Sequence, residues 1–186
     1  MGILLGYAPF VVFFAVSNLG GSVMGLVCAA IAAVILTAAR ALRGKQSVKL
    51  LELGSVLLFG GLAAVAYSTN ANWTLTEVRL RVDTGLLAII VASLAIGQPF
   101  TLQYAREEAR PELWNNPNFL QTNRIISAVW AGAVLMCIFA EVLWIYFPTV
   151  PRGVGTIVTI AAIYGAVRFT SSYPKRIREQ AAVAAE

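Results

Sequence analysis

Along this chain the apolar positions run together in blocks, with neither the stripes of an amphipathic helix nor the alternation of a half-buried strand. The charges collect in the joins between the blocks. Met1 to Ala39 carries no charge, and further charge-free runs cover Leu53–Thr76, Thr84–Ala105, Ile125–Ala140 and Gly153–Val167. At about 1.5 Å of rise per residue, an α-helix needs about 20 residues to cross a hydrocarbon layer roughly 30 Å thick, and these runs have that size. The pattern predicts helices near 22–43, 51–69, 80–104, 122–147 and 153–172. Upstream, the interruption Ser17-Asn18-Leu19-Gly20-Gly21-Ser22 sets off a shorter segment near 2–17, read as a thin span or a re-entrant arm. It lacks the basic leader and small-residue cleavage site of a removable signal peptide. The expected fold is therefore all-α, a polytopic membrane helical bundle of six hydrophobic segments, five long spans plus the short N-terminal one. One transmembrane domain is expected over 1–172, with a short basic cytoplasmic tail at 173–186.

Composition agrees with lipid as the solvent. Hydrophobic residues make up 59% of the chain and charged ones 12%, with a mean hydropathy of +0.76, where a soluble domain carries about 25% charged residues. The net charge of +5 does not indicate nucleic acid as a partner, because the basic residues sit at the ends of apolar runs without forming a basic face. They report orientation instead. Arg40, Arg43, Lys45, Lys49, Arg106, Arg110, Arg124, Arg168, Lys175, Arg176 and Arg178 fall in alternate joins and the tail, whereas only Arg79, Arg81 and Arg152 fall on the opposite side. Since Lys and Arg are retained on the cytoplasmic side, six crossings place both termini there. If the first segment does not cross, only the N-terminus changes side. Trp73, Trp144, Tyr146 and Phe147 lie at the expected outer ends, where amphipathic rings settle among headgroups.

The chain contains no histidine, which removes the usual haem ligand, the usual di-metal ligands and the commonest proton shuttle. No cofactor is expected. Lys45, Lys49 and Lys175 stand in polar joins, so a mid-membrane Schiff-base lysine is not on offer, and the isolated Cys28 and Cys137 read as packing residues. No phosphate loop, nucleophile elbow or metal motif is present, and the reading leans away from an enzyme. A lipid-modifying enzyme ranks third, for want of a visible constellation.

Candidate binding residues are Glu141, Arg79, Arg81, Gln98, Gln103 and Arg124. Glu141 interrupts an apolar helix, where an unpaired carboxylate costs about 2.5–3.5 kcal/mol. Arg79 or Arg81 on the same side is its expected partner. A helix-orienting ion pair is preferred over a proton or cation site in a cavity. Glu77–Arg81 and Arg79–Asp83 also have the i,i+4 spacing of helix-surface pairs. Arg106, Glu107, Glu108, Arg110, Glu112 and Arg124 read as a solvated cytoplasmic loop of zero net charge. Gly97-Gln98-Pro99, followed by Gln103 and Tyr104, predicts a kink or helix end with amides beside it, and Asn123 and Arg124 on the same side are placed to face Gln103 across a small polar pocket. Gly2-x-x-x-Gly6, Gly21-x-x-x-Gly25 and the Gly54/Gly61 spacing offer surfaces for close helix approach, within the chain or between copies in a homo-oligomer.

Ala8-Pro9-Phe10-Val11-Val12-Phe13-Phe14-Ala15, the Ala-rich segment ending in basic residues at Arg40–Lys45, Phe59-Gly60-Gly61-Leu62, Trp73, Pro99 and Asn123 with Ala128-Val129-Trp130-Ala131 together resemble, in their order, the intracellular septation protein A family of bacterial inner-membrane proteins. The loop from Glu107 to Phe119 departs from that pattern. The resemblance implies a multi-pass protein of the bacterial cytoplasmic membrane that serves cell-envelope maintenance and septation as a scaffold, with other envelope or division proteins and the lipid bilayer as partners. The alternative expectation is a small-solute or ion permease with Glu141 in a polar site.

Overall fold

The computed structural model describes residues 5–42, 49–147 and 149–183. Gly2, Arg43 and Lys45, and the side chains of Arg152 and Arg178, lie outside what is described. Among the described residues the chain forms seven α-helices and no strand. They are α1 (Ala8–Gly20), α2 (Ser22–Leu42), α3 (Leu50–Ser68), α4 (Leu75–Ala95), α5 (Phe100–Glu108), α6 (Pro117–Tyr146) and α7 (Arg152–Val183). Helices α2, α3, α6 and α7 are each long and apolar enough to cross a membrane, and α4 with α5 passes that test as a bent pair. The chain is a multi-pass helical membrane protein.

The helix ends follow from local chemistry. Pro9 opens α1, its φ already set for a helix, and Gly21, at φ 91°, turns the chain into α2. With 13 residues α1 spans about 20 Å, short of a full crossing. Helix α4 starts at Leu75, earlier than the expected 80, because of a capping box. The Thr74 hydroxyl accepts from the Glu77 N–H at 3.3 Å, and the Glu77 carboxylate accepts from the Thr74 N–H at 2.8 Å.

The expected single helix over 80–104 is broken. Gly97 takes φ 72° and Pro99 supplies no N–H, so the axis turns by 71° between α4 and α5. Helix α6 begins at Pro117, ahead of the expected 122, since the Asn116 side chain caps the Asn118 N–H at 2.9 Å. Helix α7 runs on through Pro174 to Val183, so the stretch expected to be a separate tail from 173 continues the last helix.

Consecutive helices pack as neighbours from α1 to α4, α6 lies against α4, α5 and α7, and 44% of the apolar stretch of α6 is buried against 11% of that of α7. Helix α6 is the centre of the bundle and α7 its rim. Ring contacts tie the N-terminal segment in: Tyr7 stacks on Trp130 of α6 at 4.7 Å, while Phe59 of α3 meets Phe10 at 4.9 Å and Phe13 at 5.7 Å. Two of the small residues do the expected work. A Cβ on Gly25 would collide with Ser17 of α1, and one on Gly54 would sit 2.8 Å from Ile89 of α4. Gly61 instead faces open space.

Candidate functional site

Two groups of charges are built into the bundle, and neither is the polar pocket the sequence pattern suggested. The first joins α2, α3 and α5. Arg40, in the last turn of α2, reaches Glu52 Oε1 through Nε at 2.8 Å and Glu107 Oε1 through Nη1 at 2.9 Å. Lys49, just ahead of α3, donates to Glu107 Oε2 at 2.5 Å and lies 3.7 Å over the Tyr104 ring. Lys49 and Glu52 are each only 1% exposed. Burial pulls the Lys49 ammonium below its ordinary value, against the opposing hydrogen bond that it donates to Glu107.

Among the described residues two cations face two carboxylates here, a balance under which buried ions are tolerated. The bend at Gly97–Pro99 makes this geometry, because it lays α5 across the start of α3. There Gln103 Oε1 accepts the Leu50 N–H at 2.7 Å and caps that helix.

Gln103 therefore does not face Asn123 or Arg124. Gln98 is exposed, with its backbone N–H on the Ser93 carbonyl at 3.0 Å. Arg124 is exposed at the edge of a 490 Å³ cleft with Gly97, Pro99 and Leu102. Asn123 turns its amide back to the Phe119 carbonyl at 2.8 Å. Successive positions on a helix point about 100° apart, and this rotation scatters what the linear sequence had grouped. Glu107, expected in a solvated loop, stands on α5 and remains exposed, with its carboxylate paired to Arg40 and Lys49.

The second group lies on α4 and α6. Glu141 is buried at 6% exposed on α6, which packs against α4, and among the described residues no ion pair within 4 Å joins it to the expected partner Arg79 and its Oε2 accepts no hydrogen bond. Arg79 also reaches α1: its Nη2 donates to Asn18 Oδ1 at 3.2 Å, and its guanidinium lies 4.8 Å from the Phe14 ring. Arg81, the other expected partner, points away. Its guanidinium donates to the Glu77 carbonyl at 2.8 Å and covers the Trp73 ring at 4.4 Å.

A cavity of about 660 Å³ opens between α5, α6 and the C-terminal half of α7. Its lining includes Thr101, Tyr104, Asn123, Trp130, Thr170 and Ile177. Trp130 Nε1 donates to Thr170 Oγ1 at 3.0 Å on its wall. Neither this cavity nor the cleft at Arg124 is lined by Glu141, Asp83 or Arg79. Among the described residues no group of three or more Cys, Asp or Glu is placed to hold a metal ion.

Sequence reasoning missed Glu52 and the pairing of Arg40, Lys49 and Glu107 beside Tyr104, and it took Asp83 only as a surface partner of Arg79. One signal was available. Glu52 stands in Leu50-Leu51-Glu52-Leu53, a carboxylate inside an apolar helix start, which is the same anomaly that marked Glu141.

Fold and charge groups define a helical multi-pass membrane protein with paired buried charges. No protein-family model, curated protein or solved structure matches the chain.

Proposed function

We propose that the chain is a scaffold of the bacterial cytoplasmic membrane, acting in envelope maintenance and septation by holding other membrane proteins against its outer helix faces. The observation that carries this reading is the distribution of glycines: Gly60 and Gly61 on α3, Gly132 on α6, and Gly153 and Gly165 on α7 have nothing within 4 Å of where a Cβ would stand. In lipid, helices associate chiefly where small residues let backbones approach, and these positions are unused within the chain. The family resemblance favours the same role, and the Lys and Arg bias favours a cytoplasmic C-terminus. Photo-crosslinkers placed beside Gly61 and Gly165 in cells are expected to capture a cell-wall synthesis or division protein, or a second copy of the chain. Adducts to lipid alone at both positions would defeat the reading.

A permease is the second reading, favoured by the buried carboxylate of Glu141. Flux through proteoliposomes that is abolished by Glu141→Gln would establish it, and flux unchanged in that variant would remove the proposed site.

A further inference from the structure

The 660 Å³ cavity between α5, α6 and α7 has the size of a ligand pocket, and its lining changes character along the helices. Glu108, Asn116 and Asn118 wall it at the ends of α5 and α6, and Ile126, Trp130 and Val167 wall it further in. From Asn118 to Trp130 the distance along α6 is about 18 Å. Val167 and Trp130 belong to the apolar helices that cross the membrane, so the inner end lies at hydrocarbon depth while the outer end lies at the helix termini.

The inner polar groups are already satisfied. Trp130 Nε1 donates to Thr170 Oγ1, which donates to the Ala166 carbonyl, and Thr101 Oγ1 is held by the Asn123 carbonyl and Ser127. A water needs about two to four polar partners, and the inner end offers none free, so an apolar chain suits it better.

Cations stand beside the same cavity. Ser171 lines its α7 wall, with Arg168 three positions before it and Lys175 four after it, on one side of the helix. Both are exposed, and neither forms an ion pair among the described residues. Arg168 falls inside the apolar stretch of α7, where an exposed guanidinium is tolerated when its long arm reaches an anion at headgroup level.

We propose that this recess holds a phospholipid of the surrounding bilayer, one acyl chain lying along Ile126, Trp130 and Val167 and the phosphate set between Arg168 and Lys175. At the neck, Asn123 gives one of its two amide hydrogens to the Phe119 carbonyl at 2.8 Å, and the other remains for an ester carbonyl. The site goes beyond the scaffold reading and does not depend on it.

The test uses the full-length protein in liposomes doped with a phosphatidylglycerol that carries a diazirine near the end of one acyl chain, with adducts mapped by peptide mass spectrometry. Adducts are expected to concentrate at Ile126, Trp130 and Val167 over the exposed Val11, Phe139 and Ile157. They should vanish from Ile126 and Trp130 in Val167→Trp, which fills the inner end, and persist in Ile157→Trp. Arg168→Gln with Lys175→Gln should weaken labelling about 30-fold, the product of about fivefold for each basic residue near a headgroup. The matching diacylglycerol, which lacks phosphate, should label the wild type no better than the phospholipid labels that double variant. Circular dichroism checks that each variant is folded. Adducts spread evenly over the outer faces, or labelling unchanged in Val167→Trp or in the double variant, would overturn the proposal. So would full competition by glycerol 3-phosphate, which would assign the two cations to a soluble phosphate ester.

Discussion

Arg40, in the last turn of α2, and Glu52, in the first turn of α3, meet Nε to Oε1 at 2.8 Å with both side chains shut away from their surroundings. Neither group can be left alone there, because a buried ion without its partner loses solvation and gains nothing in return. Arg40→Ala and Glu52→Gln are each expected to destabilise the fold by about 3–5 kcal/mol. The double change Arg40→Met with Glu52→Met should recover most of that loss. Unfolding in mixed micelles against denaturing detergent measures all three, and single variants within about 0.5 kcal/mol of wild type would refute the clasp.

The bend between α4 and α5 depends on Gly97, whose φ of 72° is a conformation that L side chains adopt only under strain. Gly97→Ala is expected to cost about 1–3 kcal/mol. Because straightening the bend would lift α5 from α3, the same variant should also weaken protection of the Leu50 amide, capped by Gln103 at 2.7 Å, in hydrogen exchange.

Glycines that look alike in sequence are expected to behave differently. A Cβ on Gly25 meets the Ser17 side chain and lies 3.1 Å from its Cα, so Gly25→Ala should push α1 off α2 at a cost of about 1–3 kcal/mol. Gly61→Ala meets nothing within 4 Å and should leave folding stability unchanged or raise it by up to about 1 kcal/mol, while lowering partner capture.

Helix α7 is held to α6 in part by Trp130 Nε1 on Thr170 Oγ1, while Thr170 itself donates to the Ala166 carbonyl at 2.8 Å. Trp130→Phe keeps a ring against Tyr7 and removes only the donor. The expected loss is about 1 kcal/mol, and adding Thr170→Val should cost less than it does in the wild type, because the two residues share one bond. A double-mutant cycle with full additivity would show that the bond carries no energy.

Much of this architecture was legible before any coordinates. The charge-free runs marked the spans, the Gly97-Gln98-Pro99 sequence marked a break, and Glu141 stood out as a carboxylate in an apolar helix. These are local properties, set by the transfer of side chains from water to hydrocarbon and by the conformations that Gly and Pro allow. The polar pocket expected between Gln103 and the pair Asn123 and Arg124 did not form, because proximity in sequence does not fix the direction in which a helical side chain points.

By itself, then, the sequence determined which segments require lipid, the bounds of α2 and α3 to within a residue, and that a buried carboxylate needs a counter-charge. Only the tertiary structure decided which counter-charge each one meets. Arg40 and Lys49 find Glu107 from 67 and 58 positions away, and Glu52 finds Arg40 across the α2–α3 join. Pairings of that kind depend on the rotation of each helix about its axis and on the bend that folds α5 back. No periodicity along the chain records either, because both are settled by how whole faces pack.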